Sequence, residues 1–269
     1  MQTIEIALDR LLARIAEQSG AFESHLNSLP SSQPCPRHPD QTAVLLIDPS
    51  WRQKRPVYGC PMCADEVRAK RRARRLHDAG LPADVRHATI ENFQTDRPGI
   101  ETAHHTPSQF IEAARRFQAG DARNLILSGK PGIGKGHLAG ALAIAALDAG
   151  RTVAWTDCAS LFQAYHDAYR DNTTAAVVNR HAQAALLVLD ELGLRDLPAD
   201  GEEILFAILD RRHKDLLPTI LLGNQPAEIT KKWLGGRITD RLRSGGCILR
   251  YGEWESMRGK DGDGAGDEF

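Results

Sequence analysis

Apolar residues fall in two rhythms along this 269-residue chain. From Asn124 onward, short apolar runs recur: NLILS (124–128), TVAWTD (152–157), ALLVLD (185–190), TILLG (219–223) and CILRY (247–251). Several are apolar without alternation, as strands covered on both faces of a parallel sheet must be. Helices are expected to begin near Gly136, Ala159, Thr174 and Gly201, the last with Asp200 as cap and Glu203 closing a capping box. Strand and helix in alternation predict a three-layer α/β sandwich. Upstream, Ile4, Leu8, Leu11 and Ile15 recur at helical spacing and predict an amphipathic helix over 3–18. VLLID (44–48) and PVYG (56–59) read as two short strands of a ribbon. LPADVRHATIENF (81–93) reads as an ordered approach segment anchored by Leu81, Ile90 and Phe93. QTDRPGIETAHHT reads as a linker, with a boundary near residue 100. SQFIEAARRFQ reads as a helix capped by Ser108.

Composition narrows the class. An apolar content of 42 % with 26 % charged residues is that of a soluble globular chain. No run approaches the roughly 18 apolar residues of a membrane span. The N-terminus carries acids inside its apolar run, unlike a signal peptide, so a cytoplasmic location without membrane partners is expected. A net charge of -1 does not advertise a nucleic-acid binder but leaves local basic patches open. The densest is ADEVRAKRRARRL, six Arg or Lys against two acids. As a helix it would bring Arg68, Arg72 and Arg75 onto one face, which could follow a phosphate backbone or simply be solvated. The glycine-rich acidic tail 259–269 is expected to be disordered.

The clearest chemistry lies in GKPGIGKGH, directly after one predicted strand and before a helix. Gly129, Gly132, Gly134 and Lys135 match G-x-x-x-x-G-K, a loop whose backbone N–H groups cradle phosphates. The stretch Gly129, Lys130, Pro131, Gly132, Ile133, Gly134, Lys135, Gly136 and His137 is the expected nucleotide-binding segment, with Lys135 reaching the outer phosphates. Gly136 stands where a hydroxyl for magnesium is usual. His137 is a candidate substitute contact, although a packing role suits it better. Asp190 ends a buried strand where it can act on a metal, and Glu191 beside it can polarise a water. Asn224 ends the next strand, placed to orient that water or touch the terminal phosphate. Arg237, Arg241 and Arg243 lie on or beside a short polar helix from which one Arg could reach a neighbouring subunit's nucleotide.

Cys35-Pro-Arg-His38 and Cys60-Pro-Met-Cys63 form a second constellation, C-x2-H and C-x2-C with 21 residues between them. Three thiols and an imidazole at this spacing can close a tetrahedron around Zn2+, a structural site with no open position. Cys158 and Cys247 lie in apolar surroundings and read as core residues.

The stretches GKPGIGKGHLA, LLVLDELG, LLGNQ, GGRITDRLRSGG and WESMR make region 81–258 resemble the AAA+ ATPases of the DnaC/DnaI helicase-loader group, which includes the IstB transposition helpers. The resemblance implies an AAA+ P-loop ATPase core, with a parallel five-stranded sheet between helices. It gives Lys135 the Walker A role, Asp190 and Glu191 the Walker B role and Asn224 that of sensor 1. Arg241 takes the arginine-finger position and Arg258 that of sensor 2. Implied are ATP and Mg2+, weak ATPase activity stimulated by assembly or DNA, self-association, and a replicative hexameric DNA helicase and single-stranded DNA as partners. Some helicase loaders also carry an N-terminal zinc-bearing region that engages the helicase. The expected organisation is therefore a small helical and zinc-binding partner region (1–80), an approach segment and linker (81–120), the ATPase domain (121–258) and the tail (259–269). Two other readings stay open: an IstB-like transposition helper, and a nucleotide-gated adaptor with little hydrolysis, which Gly136 keeps in play.

Overall fold

The computed structural model describes residues 30–46, 57–96, 98–101 and 103–256. The helix expected at 3–18 and the tail 259–269 lie outside these residues. The chain divides into two compact units, Met1–Arg74 and Arg75–Phe269.

The smaller unit is built on the antiparallel strands β1 (Ser32–Pro34), β2 (Thr42–Leu46) and β3 (Val57–Gly59), paired in that order. The expected ribbon is β2 with β3, Val44 facing Gly59. β1 escapes sequence reading because Ser-Gln-Pro offers no apolar alternation. Its buried centre is Cys35, Ala43 and Cys60, with Cys63 packed against them. Among the described residues this buried centre is small, and a centre of this size usually needs a staple. Helix α1 (Pro61–Asp78) follows directly and runs through the division between Arg74 and Arg75. The composition shift near residue 100 is therefore not where the contacts divide. Leu81, Val85, Ile90 and Phe93 are all buried in the core of the larger unit.

That unit holds a five-stranded parallel sheet made from β4 (Asn124–Gly129), β5 (Val153–Asp157), β6 (Leu186–Leu192), β7 (Thr219–Gly223) and β8 (Cys247–Gly252). The spatial order is β5-β6-β7-β4-β8. Around it lie α2 (Pro107–Ala119), α3 (Lys135–Asp148), α4 (Cys158–Arg170), α5 (Thr174–Gln183), α6 (Gly201–Lys214) and α7 (Ala227–Ser244). Alternate strand residues feed two cores. Leu125, Leu127 and Val188 join α2, α3 and the 81–93 segment on one face. Ile126, Leu187 and Leu189 join α4 to α7 on the other. This is the AAA+ type of P-loop core, and period-two alternation inside continuously apolar strands is what serves both layers.

Local chemistry differs from expectation at two helix starts. Thr106, not Ser108, caps α2, and Gln109 closes the box behind Pro107. A proline at the first helical position wastes no N–H, so the cap belongs one residue earlier. Asp200 makes no side-chain cap to α6. Its carboxylate is instead taken by His166 Nε2, at 3.0 and 3.1 Å. Composition also gives no hint of Arg212, almost wholly buried without a carboxylate. Its guanidinium donates to Thr219 Oγ1 and to the carbonyls of His181, Ala182, Ala184 and Pro218. A five-donor fork suits that converging set of acceptors where a lysine would not.

Candidate functional sites: a phosphate-loop cleft and a metal cluster

The sheet order brings the phosphate loop and the acids together. β7 lies between β4, which feeds the loop, and β6, which carries Asp190 and Glu191. Asn224 follows β7 and so sits between them. Lys135, Gly136, His137, Asp190, Glu191 and Asn224 all line one cleft of about 690 Å³. Its other wall was not foreseen in the sequence: Pro82, Asp84, Val85, His87 and Asn92 come from the approach segment, and Gln94 directly follows it.

Gly129 ends β4, and Lys130, Pro131, Gly132 and Ile133 lead to Gly134, the residue before α3. Gly134 has φ +95°, and a Cβ there would lie 2.5 Å from the Phe93 ring, so only glycine fits both demands. Ile133 is fully buried and pins the loop to the core. The Lys135 ammonium donates to the carbonyls of Gly129 at 2.7 Å and Lys130 at 2.9 Å, folded back along its own loop. Gly136 leaves room: a Cβ there would first meet Val85 Cγ1 at 3.7 Å.

His137 lines the cleft, and its imidazole is engaged by the approach segment. Its Nε2 lies 2.7 Å from Asn92 Oδ1 and 3.0 Å from the Thr89 carbonyl, both acceptors, so Nε2 carries the hydrogen. The same Asn92 closes the turn by accepting from Thr89 N at 2.8 Å and donating to His87 O at 3.1 Å. His137 therefore fastens the approach segment across the start of α3.

Asp190 and Glu191 sit at an irregularity in β6. Leu189 pairs with Leu221, but the next pair is Leu192 with Gly223, and Glu191 has φ +58°. A bulge beside a cleft re-aims side chains, and a non-glycine residue in the left-handed region is held there by its surroundings. One visible restraint is the Glu191 N–H, which donates to Asp190 Oδ1 at 2.7 Å. Burial lifts the Asp190 carboxyl above its usual range, the Glu191 amide opposes this, and the Glu191 charge adds to it. A bound cation reverses that balance. A carboxylate at this depth is a suitable oxygen ligand for Mg2+, which prefers such donors and keeps several waters.

Arg241 lies elsewhere. It is on α7 beyond a break at Gly235 (φ +79°, ψ 164°), not among the residues lining the cleft. Its Nε donates to Asp210 Oδ1 at 2.8 Å, and Lys214 Nζ meets the other oxygen at 2.6 Å. Arg237 stacks over Phe206 at 3.8 Å from the ring centroid. Arg258 lies outside the described residues.

In the smaller unit, the ligand atoms of Cys35, His38, Cys60 and Cys63 all lie within 4.8 Å of one another. Cys35 Sγ and Cys63 Sγ are 3.6 Å apart, and His38 Nδ1 is 3.8, 3.8 and 3.3 Å from the sulfurs of Cys35, Cys60 and Cys63. A tetrahedral ion with Zn–S near 2.3 Å needs ligand separations of roughly 3.5–3.8 Å, so the donor set fits. The far nitrogen of His38 meets Glu66 Oε1 at 3.0 Å, and Arg37 holds the other Glu66 oxygen at 2.6 Å. A carboxylate behind a ligating imidazole fixes its tautomer and orientation. Glu66 is the functional residue the sequence reading missed. Its signal was its place one helical turn after Cys63.

The thiols respond to this crowding. Burial pulls the Cys35 thiol up, but the backbone N–H groups of Arg37 and His38 and the His38 ring bring it down to about 6. Burial and the Cys35 sulfur push Cys63 up to about 11. The Cys35 contact also raises His38. Burial, helped by the charges of Asp157, Asp190 and Glu191, drives Cys158 up to about 12, which makes it an inert core thiol.

Among the described residues no helix is long and apolar enough to cross a membrane. The chain is similar to the replicative helicase loader DnaC of Escherichia coli strain K12, 29 % identical over 213 residues, 78 % of this chain and 85 % of that one. It is also similar to YdaV of the same strain, 31 % identical over 221 residues, 81 % and 88 % of the two chains. A crystal structure of the DnaC helicase loader superposes with a TM-score of 0.54 at 18 % identity, covering 63 % of this chain and 99 % of that one. AMPPCP-bound DnaA from Aquifex aeolicus gives 0.52 at 18 %, covering 63 % of this chain and 51 % of that one. Both structural likenesses speak for the fold. The family described as IstB-like ATP binding protein matches residues 62–260, most of the chain and all of the cleft described above, and the chain belongs to that family.

Proposed function

We propose that this protein is an ATPase that loads a replicative DNA helicase onto single-stranded DNA. The observation that carries the reading is the convergence of Lys135, Asp190, Glu191 and Asn224 on one cleft from three neighbouring strands. The choice of a helicase as partner is supported by the similarity to DnaC over most of both chains. The reaction is ATP + H2O to ADP + phosphate.

In this reading the backbone of 129–134 and the start of α3 cradle the phosphates, and Lys135 exchanges its loop carbonyls for phosphate oxygens. Asp190 would hold Mg2+ through water or directly, and the ion would supply charge neutralisation. Glu191 takes up the proton of the attacking water, which Asn224 helps to orient. Arg241, absent from its own cleft, would serve the nucleotide of a neighbouring copy, so that hydrolysis depends on assembly. Cys35, His38, Cys60 and Cys63 would hold Zn2+ and fold the unit that meets the helicase. ATP and ADP states matter because only a difference in their preferences can shift an assembly.

Two observations favour rivals. The family description favours an IstB-like transposition helper, with a transposase in place of the helicase. Gly136 favours a nucleotide-gated adaptor. Steady-state hydrolysis by the zinc-loaded protein, with and without single-stranded DNA, separates the last of these. DNA-stimulated turnover is expected, falling about 100-fold or more in Glu191→Gln and also lost in Arg241→Ala. Tight ATP binding without turnover would move the assignment to the adaptor. Capture of a purified helicase against a purified transposase decides the partner.

A further inference from the structure

The function above leaves one feature of the chain unused. In α1 every residue from Val67 to Arg75 is exposed, and Leu76 is the helix's buried residue. A helix that is polar all round draws no stability from packing and depends on pairs along its surface. Like charges stand four residues apart at Arg68/Arg72, Lys70/Arg74 and Arg71/Arg75, while Glu66 and Asp78 stand four residues from Lys70 and Arg74. At 100° per residue, Arg68, Arg71, Arg72 and Arg75 fall on one face, within about 10 Å along the axis. Acids flank this stripe at its ends, Asp65 and Asp78. Arg68 bonds Asp65 in an exposed pair that a stronger anion can displace. Arg75 is committed to the Leu147 carbonyl at 2.9 Å.

We infer that the Arg68, Arg71 and Arg72 face of α1 binds the phosphate backbone of a nucleic acid. A polyanion with regularly spaced charges complements a face this rich in basic side chains, and guanidinium forks suit phosphate oxygens. The face starts five residues after Cys63 on the same helix, so an ion held by the Cys and His cluster would fix its N-terminal end. The inference deepens the DNA-handling part of the proposed function and rests on it. Backbone contacts carry no sequence information, so sequence-independent binding is expected.

The test is anisotropy titration of the full-length, zinc-loaded protein across a salt series. The probes are oligo-dT and a duplex of equal length, which tell a single strand from a double one. In Arg68→Gln/Arg71→Gln/Arg72→Gln, affinity is expected to fall on the order of tenfold, and the log–log salt slope to lessen by about 2, near 0.7 per lost contact on a single strand. Gln keeps helix propensity, and circular dichroism checks the fold. The matching triple Lys variant keeps the charge and is expected to retain most of the slope. Unchanged affinity and slope in the Gln variant would overturn the inference, as would a Lys variant as impaired as the Gln one. A wild-type protein that binds neither probe would sink the DNA-handling reading itself.

Discussion

His137 Nε2 lies 2.7 Å from Asn92 Oδ1. That contact ties the residue two positions after the phosphate-loop lysine to a turn more than forty residues upstream. Phe93 adds an edge-on contact to the same imidazole, 5.7 Å between centroids. The approach segment is thereby a wall of the cleft, and His137 is a fastener of that wall.

Replacing His137 by Ala should therefore weaken nucleotide binding through loss of the wall's position, with little change in magnesium dependence. A stability loss of about 1 kcal/mol is expected for the hydrogen bond. A double-mutant cycle with Asn92→Ala, read by denaturant unfolding, should show the two losses to be non-additive. Strict additivity would mean that the contact carries no energy.

Gly136→Ser tests the missing hydroxyl. A Cβ at this position meets nothing nearer than 3.7 Å, so the side chain fits without moving Val85. Serine also has better helix propensity than glycine, worth about 0.5 kcal/mol. The Mg2+ concentration for half-maximal ATP hydrolysis should fall several-fold. An unchanged magnesium titration would show that the hydroxyl's absence is no handicap.

The metal cluster should respond to both chelation and acid. Stripping the ion should unfold the smaller unit, visible as lost protection of amides 32–46 and 57–60 in hydrogen exchange. Glu66→Gln should weaken zinc binding by about 10- to 100-fold, because the imidazole loses its acceptor carboxylate. Zinc must displace protons from the thiols and from His38. His38 is raised, so in the metal-free unit it stays protonated to higher pH than an ordinary histidine. Cys35, at about 6, competes least of the thiols for which a shift is resolved. Affinity should consequently drop as pH falls through the neutral range. A pH-independent zinc affinity, measured by chelator competition, would exclude these ligands.

Much of this was legible in the chain itself. The five strands and the helices that follow them lie where continuous apolar runs and their flanking polar residues put them, because a strand covered on both faces has little freedom in composition. The phosphate loop was readable because its chemistry is local: one short stretch supplies the turn, the N–H groups and the lysine. The Cys and His cluster was readable because two close pairs already define half a tetrahedron each. Cap choices at Thr106 and Asp200 were less so, since several residues nearby offer the same oxygen and tertiary partners decide among them.

The tertiary structure alone decided what spacing along the chain does not encode. Strand order places Asn224 between the loop and the acids, and order depends on which helices cover which face. The bulge that turns Asp190 and Glu191 into the cleft arises from register against β7. The wall formed by Pro82 to Gln94, the Glu66 carboxylate behind His38, and the Asp210 partner of Arg241 are contacts between segments far apart in sequence or on different faces. Short-range pattern fixes which elements form. Only the packing of those elements fixes which side chains meet.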